Sequence, residues 1–470
     1  MGDPDPTDLI CAETNRVPFR QQSPLSAEWA NSFRSWPTPV AGWRDWYNRV
    51  SAVHLQGWAN IGIAHAIKLS LADHHKNEPL LAAASYLWSD ALNCFMFGHG
   101  PATMTLLDTV MLADLNITAE ATPDAIRIKS SHRINPKDTR GWKVYIQTYN
   151  KGHGTVDRRE HVAFLNMWLD HFFFCGVSVS PTNNFLPMAD VLADSRALPM
   201  GKYLLGSAYL LLHQVSVELR SGRSVKNLGG PWWFIQMWLS LHTTKAIDLD
   251  LSALTFPGNY AESATPRSSR CISFGEALSM APGAAMSDDN LAYWFAALYK
   301  GLNNESTDWY PYIDFFEKGY DTPFLIDPTF PTADGEAVKI FITCLRPCLL
   351  PTGLIAGSKA FCSYEFYHPS VAARQLGFGQ LPPSLFYVGQ IKARSIVDNA
   401  IQWNWLVGRT ADVVTGDLTG FSPAPRSTRL FDRWWGEWNR HLRSRNTASF
   451  FSGLVLTEAF AEVRAADLFL

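Results

Sequence analysis

The sequence predicts a mainly α-helical protein, built as one large multi-helix domain with a small β element in its C-terminal third. Apolar residues recur at steps of three and four along most of the chain, which is the spacing of amphipathic helices. Hydrophobic residues make up 47% of the 470 residues and charged residues only 18%, which is enough apolar material for a large core. The sequence contains no repeat of fixed period and no long Gly/Ser linker, so a single domain is expected.

Three parts of the chain differ in composition. Residues 1–40 mix Pro, Asp, Ser, Gln and Arg with few periodic apolar positions, so we expect a loosely structured N-terminal segment. Residues 41–445 carry the dense apolar patterns and form the predicted domain. Residues 446–470 are expected to be a C-terminal tail or a helix.

Helical spacing begins at Trp43 and predicts two successive amphipathic helices up to about Leu71. The apolar run Leu80–Phe97 is predicted to be helical as well, and the glycines and proline of residues 98–101 would end it. Thr105 and Asp108 have the spacing of a capping box, with Asp in place of the usual Glu or Gln, so a new helix is expected there.

The segments Phe164–Cys175, Met200–Leu219 and Pro231–Thr244 are predicted to be neighbouring helices in the middle of the domain. Pro is favoured at the start of a helix, and Pro231 follows two glycines. The side chains expected to be buried here are Trp168, Leu205, Tyr209, Leu212, Phe234 and Trp238. The most apolar stretches contain Asp or His and fall short of the ~20 residues that span a bilayer, so no membrane association is expected.

The apolar period changes between Lys339 and Tyr367. Val338, Ile340 and Ile342 occupy every second position, and aromatic residues sit among Ser and Glu just before Tyr367, which predicts short strands. Pro369 is expected to open a helix. Arg374, on that helix, is expected to pair with a buried carboxylate or with carbonyl groups.

Sequence motifs for catalysis, cofactors and metals are missing, so no residue is assigned to any of these roles. His161 and His171 lie ten residues apart, too far along a helix to share one metal ion. Cys344 and Cys348 have no second pair of ligands at zinc spacing, and the odd total of seven cysteines suggests reduced thiols. Acids such as Asp108, Asp114 and Asp170 show no spacing that favours a two-metal site.

A cluster of Trp and Arg near residue 435 is the candidate partner surface. It consists of Arg433, Trp434, Trp435 and Trp438. Trp beside Arg is enriched where proteins bind one another, and such a pairing could also stack on nucleic-acid bases. In the alternative interpretation, Trp434 and Trp438 cover the domain core and only Trp435 is exposed. The net charge of −3 supplies no general attraction for nucleic acid.

Four segments of the chain together resemble the plant mobile domain, also called the aminotransferase-like plant mobile domain, a family that includes the Maintenance of Meristems proteins. They are Phe97–Leu115, Glu160–Leu169 with the aromatic run after it, Gly201–Leu210 with Gly229–Leu239, and Tyr367–Phe378. The last is the most specific, although Leu376 stands where the family usually has an aromatic residue. The signature residues are Gly98, His99, Asp108, Gly230, Pro231, Trp232, Pro369, Arg374, Gln375 and Gly377.

The resemblance implies a plant nuclear protein that acts in transposon and gene silencing, gene expression and meristem maintenance. It implies a protein partner in the nucleus, with a phosphoprotein-phosphatase-like protein as the expected one, and it carries over no catalytic residue. A pyridoxal enzyme needs a Schiff-base Lys and a phosphate cup in an α/β body, which this helical pattern does not predict, so no cofactor is expected. The runner-up function is a transposon-derived nucleic-acid-binding protein, or an enzyme acting on a nucleic-acid or phosphate substrate.

Overall fold

Helices make up most of the described protein, in agreement with the predicted fold class. The computed structural model describes residues 16–120, 141–226, 228–245, 250, 254–257, 268–271, 273–302, 308–312, 335–352, 363–383 and 418–451. The α-helices are α1 (Trp43–Asn60), α2 (Ala64–Leu69), α3 (Glu78–Tyr86), α4 (Leu106–Ala113), α5 (Trp142–Tyr149), α6 (Arg158–Met167), α7 (Leu186–Ala193), α8 (Met200–Arg220), α9 (Trp232–Thr243), α10 (Phe274–Ser279), α11 (Asp288–Lys300), α12 (Glu336–Leu345) and α13 (Arg429–Leu442).

Small sheets lie among these helices. The strands are β1 (Trp88–Ser89), β2 (Cys94–Phe97), β3 (Gly100–Ala102), β4 (Thr255–Pro257), β5 (Ser268–Arg270), β6 (Cys348–Pro351), β7 (Tyr364–Tyr367), β8 (Gly379–Gln380) and β9 (Arg426–Ser427). The first three form an antiparallel sheet in the order β1-β2-β3, and β4 pairs with β5 and β6 with β7 in antiparallel ribbons. Strands β8 and β9 pair in parallel.

Aromatic stacking fixes α1 to α6. The ring of Phe164 lies between the indoles of Trp43 and Trp58, with centroid distances of 4.6 and 5.4 Å. The indole N–H of Trp58 donates to Nε2 of His161 at 2.9 Å. The aromatic residues of α1 and α6 lie on the facing sides of the two helices. Residues on one side of a helix recur every three or four positions, which explains the spacing seen in the sequence.

Of the three central segments, α9 contacts both α8 and the turn that follows α6, and the six side chains expected to be buried are at most 1% exposed. The first of them changes its winding, because the α-helix α6 ends at Met167 and a π-helical turn continues from Trp168 to Phe173. The indole N–H of Trp233 on α9 donates to the carbonyl of Phe173 at 2.9 Å, which joins this turn to α9.

The prediction of one long helix over Leu80–Phe97 is wrong. Helix α3 ends at Tyr86, and the rest of the run forms β1 and β2. Every residue of these two strands is buried, so they carry no polar alternation. A short continuous apolar run does not distinguish a buried strand from a buried helix by periodicity. The protein therefore has a β-sheet in its first quarter, besides the small β element expected near the C-terminus.

The predicted strand around Val338 is also wrong, since these residues form helix α12. The buried side chains of α12 are Val338, Phe341 and Cys344, which lie three apart, so the run fits helical spacing as well as alternation. The strand expected just before Tyr367 is confirmed as β7, where Leu349 pairs with Phe366 and Leu350 with Glu365. Pro369 opens a 3-10 helical segment, Pro369–Leu376, with a kink at Ala372.

The described part of the N-terminal segment, residues 16–40, contains two 3-10 turns and packs on the core. Phe33 stacks on Trp29 at 5.5 Å and meets Trp232 edge to face at 5.0 Å. Arg16 pairs with the buried carboxylate of Asp90 at 3.0 Å. Residues 1–15 and 452–470 lie outside the described residues. The expectations of a loose N-terminal segment and of a C-terminal tail or helix can therefore be compared with the structure only for residues 16–40 and 446–451.

Candidate functional site

Two signature segments far apart in the sequence meet at the turn between β2 and β3. A Cβ atom on Gly98 would lie 2.2 Å from the backbone of Lys300 and Gly301, at the end of α11. Gly100 has a φ of 138°, and a Cβ atom there would lie 2.3 Å from Nη2 of Arg374. Both positions therefore require Gly, because a side chain would collide with the neighbouring atoms. At Gly100 the positive φ is a second reason, since other residues avoid this conformation.

The side chain of Gln375 joins the same two segments. Its Oε1 accepts the backbone N–H of Thr103 at 2.9 Å, and its Nε2 donates to the carbonyl of Thr103 at 2.9 Å. Gln375 is 2% exposed, so these bonds form away from water. Nε2 also lies 3.4 Å from Nε2 of His242 on α9. The amide thus acts in place of a neighbouring strand for the backbone that follows β3.

Among the described residues, the Arg374 side chain pairs with neither a carboxylate nor a carbonyl group, contrary to the sequence-based expectation. Its guanidinium carbon lies 3.5 Å from the ring centroid of Trp309 and 4.9 Å from that of Phe431 on α13. The residue is 6% exposed, and its Nε and Nη2 atoms have no hydrogen-bond partner in the part of the chain that the structure describes. Burial lowers the pKa of Arg374 to about 9, and the charge of Asp432 partly opposes this shift. Cation–π contact with two rings stands in place of the expected carboxylate or carbonyl partners.

A small pocket lies beside this cluster, lined mainly by apolar side chains together with His99, His242 and Trp309. Nδ1 of His99 accepts the backbone N–H of Leu302 at 3.1 Å. Nδ1 of His242 lies 3.2 Å from the carbonyl of Asp308 and therefore carries the proton, because a carbonyl only accepts. Burial lowers the pKa to about 3 for His99 and about 4 for His242, so both rings are neutral at pH 7.

Asp108 forms the capping box that the sequence predicted. Its Oδ2 accepts the backbone N–H of Thr105, and the Thr105 hydroxyl accepts the Asp108 N–H at 3.3 Å. The hydroxyl of Tyr312 donates to Oδ1. Burial raises the pKa of Asp108 to about 6, and the bonds from Tyr312 and Thr105 oppose this. The carboxylate therefore starts α4 and holds Tyr312 in place.

The other acids considered for a catalytic site have separate positions. Asp114 ends α4 with a φ of 50°, and Asp170 in the π-helical turn accepts the backbone N–H of Thr182 at 3.0 Å. Burial raises the pKa of Asp114 to about 7 and that of Asp170 to about 6. Among the described residues, no three His, Cys, Asp or Glu side chains are grouped so that they could hold a metal ion.

The remaining signature residues shape turns and helix starts. Helix α9 begins at Trp232, directly after Pro231. A Cβ atom on Gly230 would lie 2.6 Å from the side chain of Leu211 on α8, and the Gly230 N–H donates to the carbonyl of Cys175 at 2.9 Å. Gly377, with a φ of 81°, ends the 3-10 segment that Pro369 opens. These contacts are internal to the fold.

The three indoles of the candidate partner surface are buried, so the expectation that they include an exposed aromatic side chain is wrong. Trp434 is 7% exposed, Trp435 9% and Trp438 0%. The indoles of Trp434 and Trp438 lie 5.0 Å apart and form part of the main core. Arg433 is exposed, as are Arg429 and Arg440 on the same helix. The outer face of α13 is therefore charged rather than aromatic.

Residues 62–436 match the plant mobile domain family, so the chain belongs to that family. The matched range contains all four segments on which the resemblance was based. Neither a curated protein nor a solved structure matches the chain. Within the described residues, no helix is both long enough and apolar enough to cross a bilayer. The described cysteines are free thiols, namely Cys94, Cys175, Cys271, Cys344 and Cys348.

The partners of Arg374 and Gln375 could not be found from sequence reasoning. Trp309 precedes Arg374 by 65 residues, Thr103 precedes Gln375 by 272, and His242 lies on a different helix. The signals that did exist were the glycine pair around His99 and the Arg-Gln pair itself. These residues indicated positions of close packing, but the sequence did not show which distant residues pack against them.

Proposed function

We propose that this protein is a non-enzymatic nuclear protein that works by binding other proteins, in transposon and gene silencing, gene expression and meristem maintenance. One observation supports the proposal beyond family membership. The polar signature residues are engaged in contacts within the fold, since Gln375 is bonded to Thr103, and Asp108 to Thr105 and Tyr312. Because these side chains hold the domain together, we assign partner binding to the protein surface. That surface includes the outer face of α13, which carries charged side chains.

The test is recovery of nuclear partners. Tagged full-length protein, expressed in plant cells, is expected to concentrate in the nucleus and to co-purify a reproducible set of proteins after mild crosslinking. A phosphoprotein-phosphatase-like protein is the expected member of that set. A Gln375→Ala variant, which is expected to weaken the fold, serves as the control for fold-dependent capture. Exclusion from the nucleus, or capture no different from the tag alone, would refute the proposal.

The absence of cofactor chemistry is part of the same proposal. Purified protein is expected to show no internal-aldimine absorbance sensitive to borohydride and no stoichiometric zinc. Absorbance spectra before and after borohydride, with elemental analysis of the same sample, measure both. A pyridoxal signal or one zinc ion per chain would make the protein a candidate enzyme.

Nucleic-acid binding is the second candidate function, and the exposed arginines of α13 are the observation that favours it. Arginines that neutralise phosphates make binding strongly dependent on salt. Binding of labelled duplex DNA and single-stranded RNA, measured between about 50 and 200 mM salt, tests this candidate. Binding that falls steeply with salt and is lost in an Arg429→Gln/Arg433→Gln variant would favour it over protein binding.

A further inference from the structure

The outer face of α13 carries a row of arginines. With 3.6 residues per turn, positions 429, 433, 436 and 440 share one side of the helix. The opposite side holds the buried residues Phe431, Trp434, Trp435, Trp438 and Leu442. Arg429, Arg433 and Arg440, here named the arginine row, are all exposed. Because the indoles anchor the helix in the core, the row is presented on a rigid support.

The arginine row is open to a new partner. Among the described residues, Arg429 and Arg433 have neither an ion pair nor a side-chain hydrogen bond. Arg440 pairs with Glu437 at 2.7 Å, with the Arg440 side chain 74% exposed. An exposed pair of this kind contributes about 0–1 kcal/mol, so an incoming carboxylate can replace it.

The spacing of the first two arginines of the row matches an extended peptide. Arg429 and Arg433 are about 6 Å apart along the axis, and Arg433 and Arg440 about 10 Å, at 1.5 Å per residue. Side chains on one side of an extended chain repeat every ~6.6 Å. Between the last two arginines lies Gly436, where an added Cβ atom would meet nothing within 4 Å. A peptide can therefore approach the helix backbone closely at this point.

Three features favour an acidic peptide over nucleic acid as the occupant. The indoles beside the row are buried and offer bases no stacking surface. Asp432 and Glu437 lie on the two flanks of the row. Their negative charges restrict the positive electrostatic potential that attracts an anion to a narrow strip along the three arginines. The net charge of −3 adds no attraction for a long polyanion. The planar guanidinium group matches a carboxylate, as it does a phosphate, through two parallel hydrogen bonds, so each arginine of the row can hold one acidic side chain.

We propose that the arginine row binds an extended acidic segment of a partner protein, with alternate Asp or Glu side chains on Arg429 and Arg433. This rests on the proposed function, since it names the chemistry of the partner through which the protein acts.

The test uses full-length protein and a fluorescent ten-residue peptide of alternating Glu and Ser. A peptide of alternating Gln and Ser is the matched probe, and single-stranded DNA with the same number of charges is the competitor. The protein variants are Arg429→Gln/Arg433→Gln and, as the matched control, Arg196→Gln, an exposed arginine in the turn after α7. Circular dichroism and thermal melting verify that each variant folds.

Fluorescence anisotropy is expected to show at least tenfold tighter binding of the Glu peptide than of the Gln peptide. The double variant is expected to lose at least tenfold in affinity, and Arg196→Gln less than twofold. An Arg429→Glu/Arg433→Glu variant is expected to bind a Lys-Ser peptide that the parent does not bind. This result would be a gain of binding, so it could not be explained by a variant that fails to fold. Equal binding by parent and double variant, or tighter binding of the DNA than of the Glu peptide, would overturn the proposal.

Nuclear co-purification separates this proposal from the broader one. If the parent recovers partners and the double variant recovers the same set, the arginine row is excluded while the interaction function stands. If the parent recovers no partner, the interaction function itself fails. Loss of a subset of partners in the double variant alone supports the arginine row when the peptide assay agrees.

Discussion

The side-chain amide of Gln375 forms two hydrogen bonds of 2.9 Å with the backbone N–H and carbonyl of Thr103, 272 residues earlier in the chain. This one contact connects the sheet near residue 100 to the 3-10 segment near residue 370. Arg374, the neighbour of Gln375, lies against Gly100 in the same place. The adjacent side chains of Arg374 and Gln375 therefore connect an early segment of the family domain to a late one.

Replacing Gln375 by Ala is expected to destabilise the fold strongly. The change leaves the buried N–H and carbonyl of Thr103 without partners, and each such loss costs about 1–3 kcal/mol, so the free energy of unfolding should fall by about 2–6 kcal/mol. Urea denaturation measures this. The control is Gln214→Ala at an exposed position of α8, expected to stay within about 0.5 kcal/mol of the parent. Similar midpoints for the two variants would contradict the structural role of Gln375.

Gly100→Ala is expected to cost about 2 kcal/mol or more. The φ of 138° strains any residue other than Gly, and the new Cβ atom would collide with Nη2 of Arg374, which Trp309 and Phe431 confine. In a double-mutant cycle with Arg374→Ala, the collision disappears while the strain remains. The two changes should therefore cost less together than the sum of their separate costs. Strict additivity would mean that the two residues do not meet.

Trp438→Ala is expected to lower the free energy of unfolding by about 3–5 kcal/mol, because it removes a fully buried indole. Trp438→Phe should cost clearly less, since the indole N–H has no hydrogen-bond partner among the described residues. Arg433→Ala, on the outer face of the same helix, should stay within about 0.5 kcal/mol of the parent. Thermal melting ranks the three variants. A mild effect of Trp438→Ala would place α13 outside the cooperative core.

Acidification is expected to destabilise the protein through its buried histidines. Burial lowers their pKa values to about 3 or 4, for His65, His74, His99, His161 and His242. Between about pH 4 and 6.5 the unfolded chain binds protons that the folded chain does not, so stability falls as pH falls. Asp108, Asp114 and Asp170 oppose this, because their raised pKa values make the folded chain bind protons first.

A His161→Gln variant isolates the contribution of one histidine. Gln can still accept the indole N–H of Trp58 but cannot take up a proton in this range. The stability advantage of the parent over the variant should shrink on acidification by up to about 1.4 kcal/mol per pH unit below pH 6.5. Urea unfolding at pH 7.5, 6.5 and 5.5 measures it. A constant difference across these values would show that His161 titrates alike in both states.

Local patterns determined much of this protein from its sequence. Periodic apolar residues gave the mainly α class and the central helices, because a helix repeats every 3.6 residues whatever it packs against. The capping box at Thr105 and Asp108 was visible for the same reason, since both partners lie within one turn. The four family segments were recognisable because the residues that build the fold lie close together within each segment.

Tertiary structure alone decided the rest, because the contacts concerned join residues that no local pattern connects. The apolar patterns of β2 and α12 are compatible with a strand and with a helix, and neighbouring elements determine whether each segment pairs as a strand or winds as a helix. The side of α13 that faces the core was likewise set by packing, which buried Trp435 with its two neighbours and left the arginines outside. Arg374 met two aromatic rings instead of a carboxylate because Trp309 and Phe431 arrive there from distant parts of the chain.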